Sequence, residues 1–112
     1  MISLETAFAI FDTVNTPLVY VDKDHIVRYN NRAAIAAYCV KRGWPTLEGR
    51  SIFACHNSAS REKILALYQR LLAGEDEIPL QVNPRNEQVT LVAVRAADRQ
   101  LLGYYERFTP VG

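Results

Sequence analysis

Cysteine is scarce in this sequence. Its two cysteines, Cys39 and Cys55, are too few and too unpatterned for a disulfide framework. No basic start followed by an apolar stretch and a small-residue cleavage site is present, so no secretory signal is expected and a reducing, cytoplasmic setting is predicted. The longest uncharged apolar run falls far short of the ~20 residues that cross a bilayer. Neither sign of charge dominates: thirteen basic side chains against twelve acidic ones leave a formal charge of +1. A nucleic-acid surface would need a clustered basic face, and there is none. Catalytic constellations are missing as well. Gly43 and Gly49 are isolated rather than part of a phosphate-cradling loop, no G-x-S-x-G elbow occurs, and no carboxylate pair has a credible base beside it. The expectation is that the chain is not an enzyme. His25 and His56 lack the spacing of a zinc site, and no cysteine or carboxylate pair completes one.

What is present is the composition of one soluble globular domain: 112 residues, 49% apolar and 22% charged, enough to bury a usable core. Apolar residues at 4, 7, 8, 11 and 14 predict an amphipathic helix over Leu4 to Val14, with Ser3 as its N-cap. Asn15-Thr16-Pro17 ends it. Leu18 to Val21 and Ile26 to Tyr29 read as a hairpin across the turn Asp22-Lys23-Asp24-His25. Asn30-Asn31 offers caps for an alanine-rich helix from Arg32 to Lys41, stopped by Gly43 and Pro45. Ser51 to Ala54 fits one helical turn. Asn57 or Ser58 then caps the longest helix, which runs to Ala73 with Ile64, Leu65, Tyr68, Leu71 and Leu72 on one face. Strand-like runs follow at Ile78 to Val82, Val89 to Val94 and Leu101 to Phe108. Two strands alone make no stable sheet. The N-terminal hairpin must therefore join the C-terminal meander, which predicts an α+β fold: a five-stranded antiparallel sheet with helices packed on one face. A sheet roofed by helices is a natural small-molecule pocket.

Val19-Tyr20-Val21-Asp22, a charged turn, and Ile26-Val27-Arg28-Tyr29-Asn30-Asn31-Arg32-Ala33-Ala34 resemble the opening of PAS domains, in which an asparagine leads into the first short helix. Gly49-Arg50-Ser51-Ile52-Phe53 is similar to the step before the long helix of that fold. The resemblance implies residues 17–112 as the PAS domain, with residues 1–16 as a flanking helix for dimerisation. Phe53-Ala54-Cys55-His56-Asn57-Ser58-Ala59-Ser60-Arg61-Glu62-Lys63-Ile64 is similar to an H-P-x-x-S-R-x-K-L stretch in a PAS subgroup that includes haem-binding, CO-responsive transcription regulators. There the histidine is the axial ligand of haem iron. The resemblance thus implies haem b as cofactor, His56 as the metal ligand, and Ser60, Arg61 and Lys63 as motif companions. The sequence departs from that pattern at Asn57, where the motif has proline. It also has no cysteine after Cys55 and no methionine but Met1, so a bound iron would have its sixth position open or filled by another group.

Each singled-out residue also has a plainer role open to it. His56 either coordinates iron, its second nitrogen held by a carbonyl or carboxylate, or is hydrogen-bonded near a helix N-terminus and shapes the loop. Cys55 and Cys39 read as small buried apolar residues. His25, in a charged turn, is expected to be exposed. The expected apolar wall of the cofactor site is Ile64, Tyr68, Val92 and Val94. Tyr68, Tyr104, Tyr105 and Phe108 are candidates for lining a cavity, though pleating lets only one of Tyr104 and Tyr105 face inward. Gly103 marks a bulge or a close approach. The first helix either pairs with a second copy or packs back on its own sheet. Glu106-Arg107-Phe108-Thr109 stands where PAS domains often carry a D-I-T-like sequence coupling to an effector domain or protein, but Arg107 occupies the acidic position. The leading expectation is a haem-based sensor of a diatomic gas or redox state. A PAS domain for a small organic ligand, and a dimerisation module without ligand, are the alternatives.

Overall fold

The computed structural model describes residues 1–55 and 58–112, the side chain of Cys55 apart. Ser3 opens the first helix, α1 (Leu4–Asp12), its hydroxyl accepting from the Thr6 N–H at 3.1 Å. The helix stops short of Val14 because Thr13 closes it, its own hydroxyl donating to the Ile10 carbonyl at 2.7 Å. No residue of α1 is buried. It lies against one edge of the sheet, where Phe8 stacks on Tyr29 with ring centroids 4.9 Å apart.

Strands β1 (Val19–Asp22) and β2 (Val27–Asn30) form the predicted hairpin. Its turn is organised by one carboxylate: Asp22 Oδ1 accepts from the N–H groups of Asp24 and Ile26 at 2.9 and 3.1 Å. Such local bonding is the reason aspartate favours turns. The register steps from Tyr20 opposite Tyr29 to Val21 opposite Val27, so Arg28 is the extra residue of a bulge, and it pairs with Asp22 at 2.6 Å.

Asn31 caps α2 (Arg32–Tyr38), accepting from the Ala34 N–H at 2.9 Å. Beyond it the chain tightens into a 3-10 turn, Val40–Arg42, closed by Gly43 at φ 70. The segment that follows covers the free edge of β2. Val27 N–H donates to the Arg50 carbonyl, and Ile52 N–H to the His25 carbonyl. The predicted helical turn is a 3-10 helix, Ile52–Cys55. The long helix α3 spans Ser58–Leu72; Asn57, its other expected cap, lies outside the described residues. Gly74 ends it at φ 117. Arg95, 10% exposed, reaches the carbonyls of Leu71 and Glu75 at 2.7 and 3.0 Å, satisfying acceptors that the helix leaves open.

The meander consists of β3 (Glu77–Val82), β4 (Glu87–Arg95) and β5 (Leu101–Pro110). The strand order is β2-β1-β5-β4-β3, every neighbour antiparallel. The hairpin joins the meander, as expected, and the structure places it on the last strand through β1 and β5. Val21, Val27, Leu71, Ile78, Leu91, Leu101 and Tyr104 form the core between α3 and the sheet. Among the described residues no helix is long and apolar enough to cross a membrane.

Candidate ligand cavity

Helix α3 is anchored at its C-terminal end. Leu71 is fully buried in the core, and Arg95 grips the carbonyls at that end. Along its inward face, Ile64, Leu67, Tyr68 and Leu71 border a cavity of about 520 Å³, within the range of small-molecule sites. The cavity's floor includes Val19, Val21, Val27, Leu80, Leu91 and Tyr104, and its rim includes Arg42, Arg50, Lys63, Glu106, Ser51 and Ser60. Apolar walls with a few convergent polar groups are the composition expected of a ligand site.

Two of the four expected wall residues, Ile64 and Tyr68, line this space. Val92 and Val94 do not. Side chains alternate across a strand, and on β4 the inward set contains Leu91, at the cavity, and Ala93, against the core; Val92 and Val94 belong to the other face. The candidate aromatic set, Tyr68, Tyr104, Tyr105 and Phe108, bounds the cavity. Of the adjacent pair, Tyr104 is the buried one and Tyr105 is half-buried. Gly103 does mark a close approach, but by the protein itself. A Cβ there would sit 2.1 Å from the Val21 carbonyl oxygen and 2.7 Å from the Tyr20 hydroxyl.

The expected iron ligand, His56, lies outside the described residues, as does the Cys55 side chain. Cys39 is fully buried, as predicted. Among the described residues no group of three or more His, Cys, Asp or Glu could hold a metal ion.

His25 overturns the expectation of an exposed turn residue. It is buried. Its backbone adopts φ 63, and its ring lies between Phe53, Tyr68 and Tyr104, with centroids 4.9, 4.8 and 5.8 Å away. Nδ1 shares a hydrogen bond of 2.7 Å with the Tyr104 hydroxyl, the tautomer deciding which group donates. Burial holds its pKa below the ordinary imidazole value despite the charges of Asp22 and Asp24, so the neutral ring is favoured. Burial, with lesser contributions from Tyr68, Asp22 and Glu106, pushes the Tyr104 phenol far up. The pair is thus an uncharged link between the hairpin turn, α3 and β5. The local sequence carries no signal for it, since its partners are remote in the chain.

Trp44 organises the cationic rim. The Arg50 guanidinium lies 3.6 Å from the centre of the indole ring and that of Arg42 lies 5.2 Å away, both within cation–π range. Haem, the cofactor implied by the resemblance, is compatible with these surroundings: the walls suit an apolar macrocycle and the cations suit its carboxylates. Among the described residues that line the cavity there is no histidine, cysteine or methionine.

The family model described as a PAS domain matches residues 8–111. Among solved structures, the C-terminal domain of a Streptococcus mutans protein aligns over 97% of this chain and 85% of its own length. Its TM-score is 0.77 at 24% identity, a likeness of fold. Comparison with the curated proteins gave no match. A five-stranded antiparallel sheet roofed by helices, a family match over nearly the whole length and the shared fold agree: the chain belongs to the PAS domain family of sensory and signalling modules.

Proposed function

We propose that this domain is a sensor that binds a small organic ligand in the cavity beneath α3 and reports its occupancy through movement of that helix against the sheet. The observation that carries this reading is the apolar cavity of about 520 Å³ between α3 and the sheet, bordered by Ile64, Leu67, Tyr68 and Leu71. Leu71 is fully buried, while Ile64, Leu67 and Tyr68 on the same face are only partly buried. A ligand shifts a conformational equilibrium only by binding the two states differently. A helix anchored at Leu71 and bordering open space along its inward face offers two such states. The test is to extract purified protein and identify co-purified organic molecules by mass spectrometry, comparing wild type with Leu67→Trp. The substitution fills the cavity and should abolish retention of the ligand with the fold intact. Equal retention by both proteins would refute the site.

Haem is the specific occupant implied by the resemblance, with His56 as axial ligand and a diatomic gas or redox change as the signal. The support is positional: Ile52 and Ser60, on either side of His56 in sequence, both line the cavity. Haem titration should give a Soret band that shifts with CO and is altered in His56→Ala. A protein that remains colourless after titration removes haem and leaves the organic-ligand reading standing. The exposed apolar residues of α1, Leu4, Phe8 and Phe11 among them, support pairing with a second copy as the route by which the signal leaves.

A further inference from the structure

We propose that the cavity selects a ligand with an apolar body and an anionic carboxylate head, the head held at Arg50, Arg42 and Lys63. This rests on the reading of the cavity as a ligand site and names the ligand's chemical class. Among the described residues, three cations and one carboxylate, Glu106, border the same apolar space, an excess of positive charge at the rim. Among the described residues, no carboxylate lies within ion-pair distance of Arg42, Arg50 or Lys63. The other arginines near acidic groups, Arg28, Arg70, Arg95, Arg99 and Arg107, are all paired.

The two rim arginines are also held in place. Arg50 is half-buried and stacks on Trp44 at 3.6 Å. Arg42 lies over the same ring at 5.2 Å and donates to the Tyr38 carbonyl at 2.9 Å. Stacking engages the face of a guanidinium and leaves its in-plane N–H donors available, and that planar fork matches a carboxylate in two parallel hydrogen bonds. Fixing it beforehand reduces the ordering cost on binding. At the edge of an apolar cavity the attraction is stronger than in open water. The floor of Val21, Val27, Leu80 and Leu91 receives the apolar body.

Trp44 is the only tryptophan in the chain and lies directly beneath Arg50, so its fluorescence reports on the head site. Dodecanoate, dodecanol and dodecyltrimethylammonium are titrated below their micellar concentrations, with calorimetry as the second readout. Dodecanoate should bind about tenfold more tightly than dodecanol, as a charge-assisted hydrogen bond predicts, and the cation most weakly. By calorimetry, Arg50→Gln combined with Lys63→Gln should bring dodecanoate down to the affinity of dodecanol and leave dodecanol unchanged. Equal binding of dodecanoate and dodecanol to wild type would overturn the anionic head while the cavity reading survives. Unchanged dodecanoate preference in the double variant would overturn the assignment to these residues. If none of the three binds, the cavity reading fails and this inference with it.

Discussion

Replacing Asn31 with alanine should be among the most damaging single changes in this domain. The side chain is fully buried and joins three segments. Its Oδ1 accepts from the N–H groups of Leu18 and Ala34 at 3.0 and 2.9 Å. Its Nδ2 lies 3.1, 3.2 and 3.1 Å from the carbonyls of Phe11, Val14 and Thr16. Loss of the cap on α2 alone costs about 1 kcal/mol. The Leu18 N–H, stranded away from water, adds roughly 1–3 kcal/mol. The carbonyls near the exposed α1 can recover water and add less. A total of about 3 kcal/mol is therefore expected, a large part of the roughly 5–15 kcal/mol that holds a domain together. Urea denaturation of the two proteins, with equal slopes, measures it directly. Asn31→Asp separates the two halves of the role. It keeps both acceptor bonds but removes the amide donors and sets a carboxylate against three carbonyl oxygens. Hydrogen exchange should then show α1 released while α2 stays capped. A loss below about 1 kcal/mol in the alanine variant would refute the reasoning, because it would mean that none of these groups is truly stranded.

Gly103→Ala should cost at least about 2 kcal/mol in a thermal or denaturant melt, because the new Cβ meets the Val21 backbone at 2.1 Å; a neutral result would show that β1 and β5 can re-space freely. His25 has a folded pKa below its unfolded one, so the unfolded chain takes up the proton first as pH falls. Its contribution is therefore intact above the ordinary imidazole value of about 6.5 and is lost progressively below it, through the folded pKa. Denaturation midpoints between neutral and mildly acid pH should fall in wild type and fall less in His25→Gln; parallel profiles would count against a buried neutral ring. Leu71→Ala, at a fully buried position, should destabilise the fold by about 2–5 kcal/mol, and a milder effect would mean that Arg95 and the packing of Leu67 and Tyr68 hold α3 without it.

Most of the fold was legible because its signals are local. Asn31 before an alanine-rich run, Gly74 after a helical stripe and alternating strands in the last third each act through neighbouring residues. The joining of the hairpin to the meander followed from the physical need of a two-stranded unit for further partners. The wall of the site was half legible. Ile64 and Tyr68 sit on a helix whose stripe reveals its inward face. Val92 and Val94 lie on the other side from the one expected because β4 has apolar residues on both faces, Val89, Leu91 and Ala93 alternating with Val92 and Val94, so its composition does not say which set looks inward.

The order of elements and the residue types available to a cavity came from the chain alone, since these depend on periodicity, caps and turns a few residues apart, and the PAS character came from the resemblance of its opening and of Gly49-Arg50-Ser51-Ile52-Phe53. Only the tertiary structure decided that His25 turns inward to Tyr104, that Gly103 makes room for Tyr20 and Val21, and that Trp44 gathers Arg42 and Arg50 at the rim. Contacts of this kind join segments distant along the chain, and their geometry is set by how the sheet and helices close on one another.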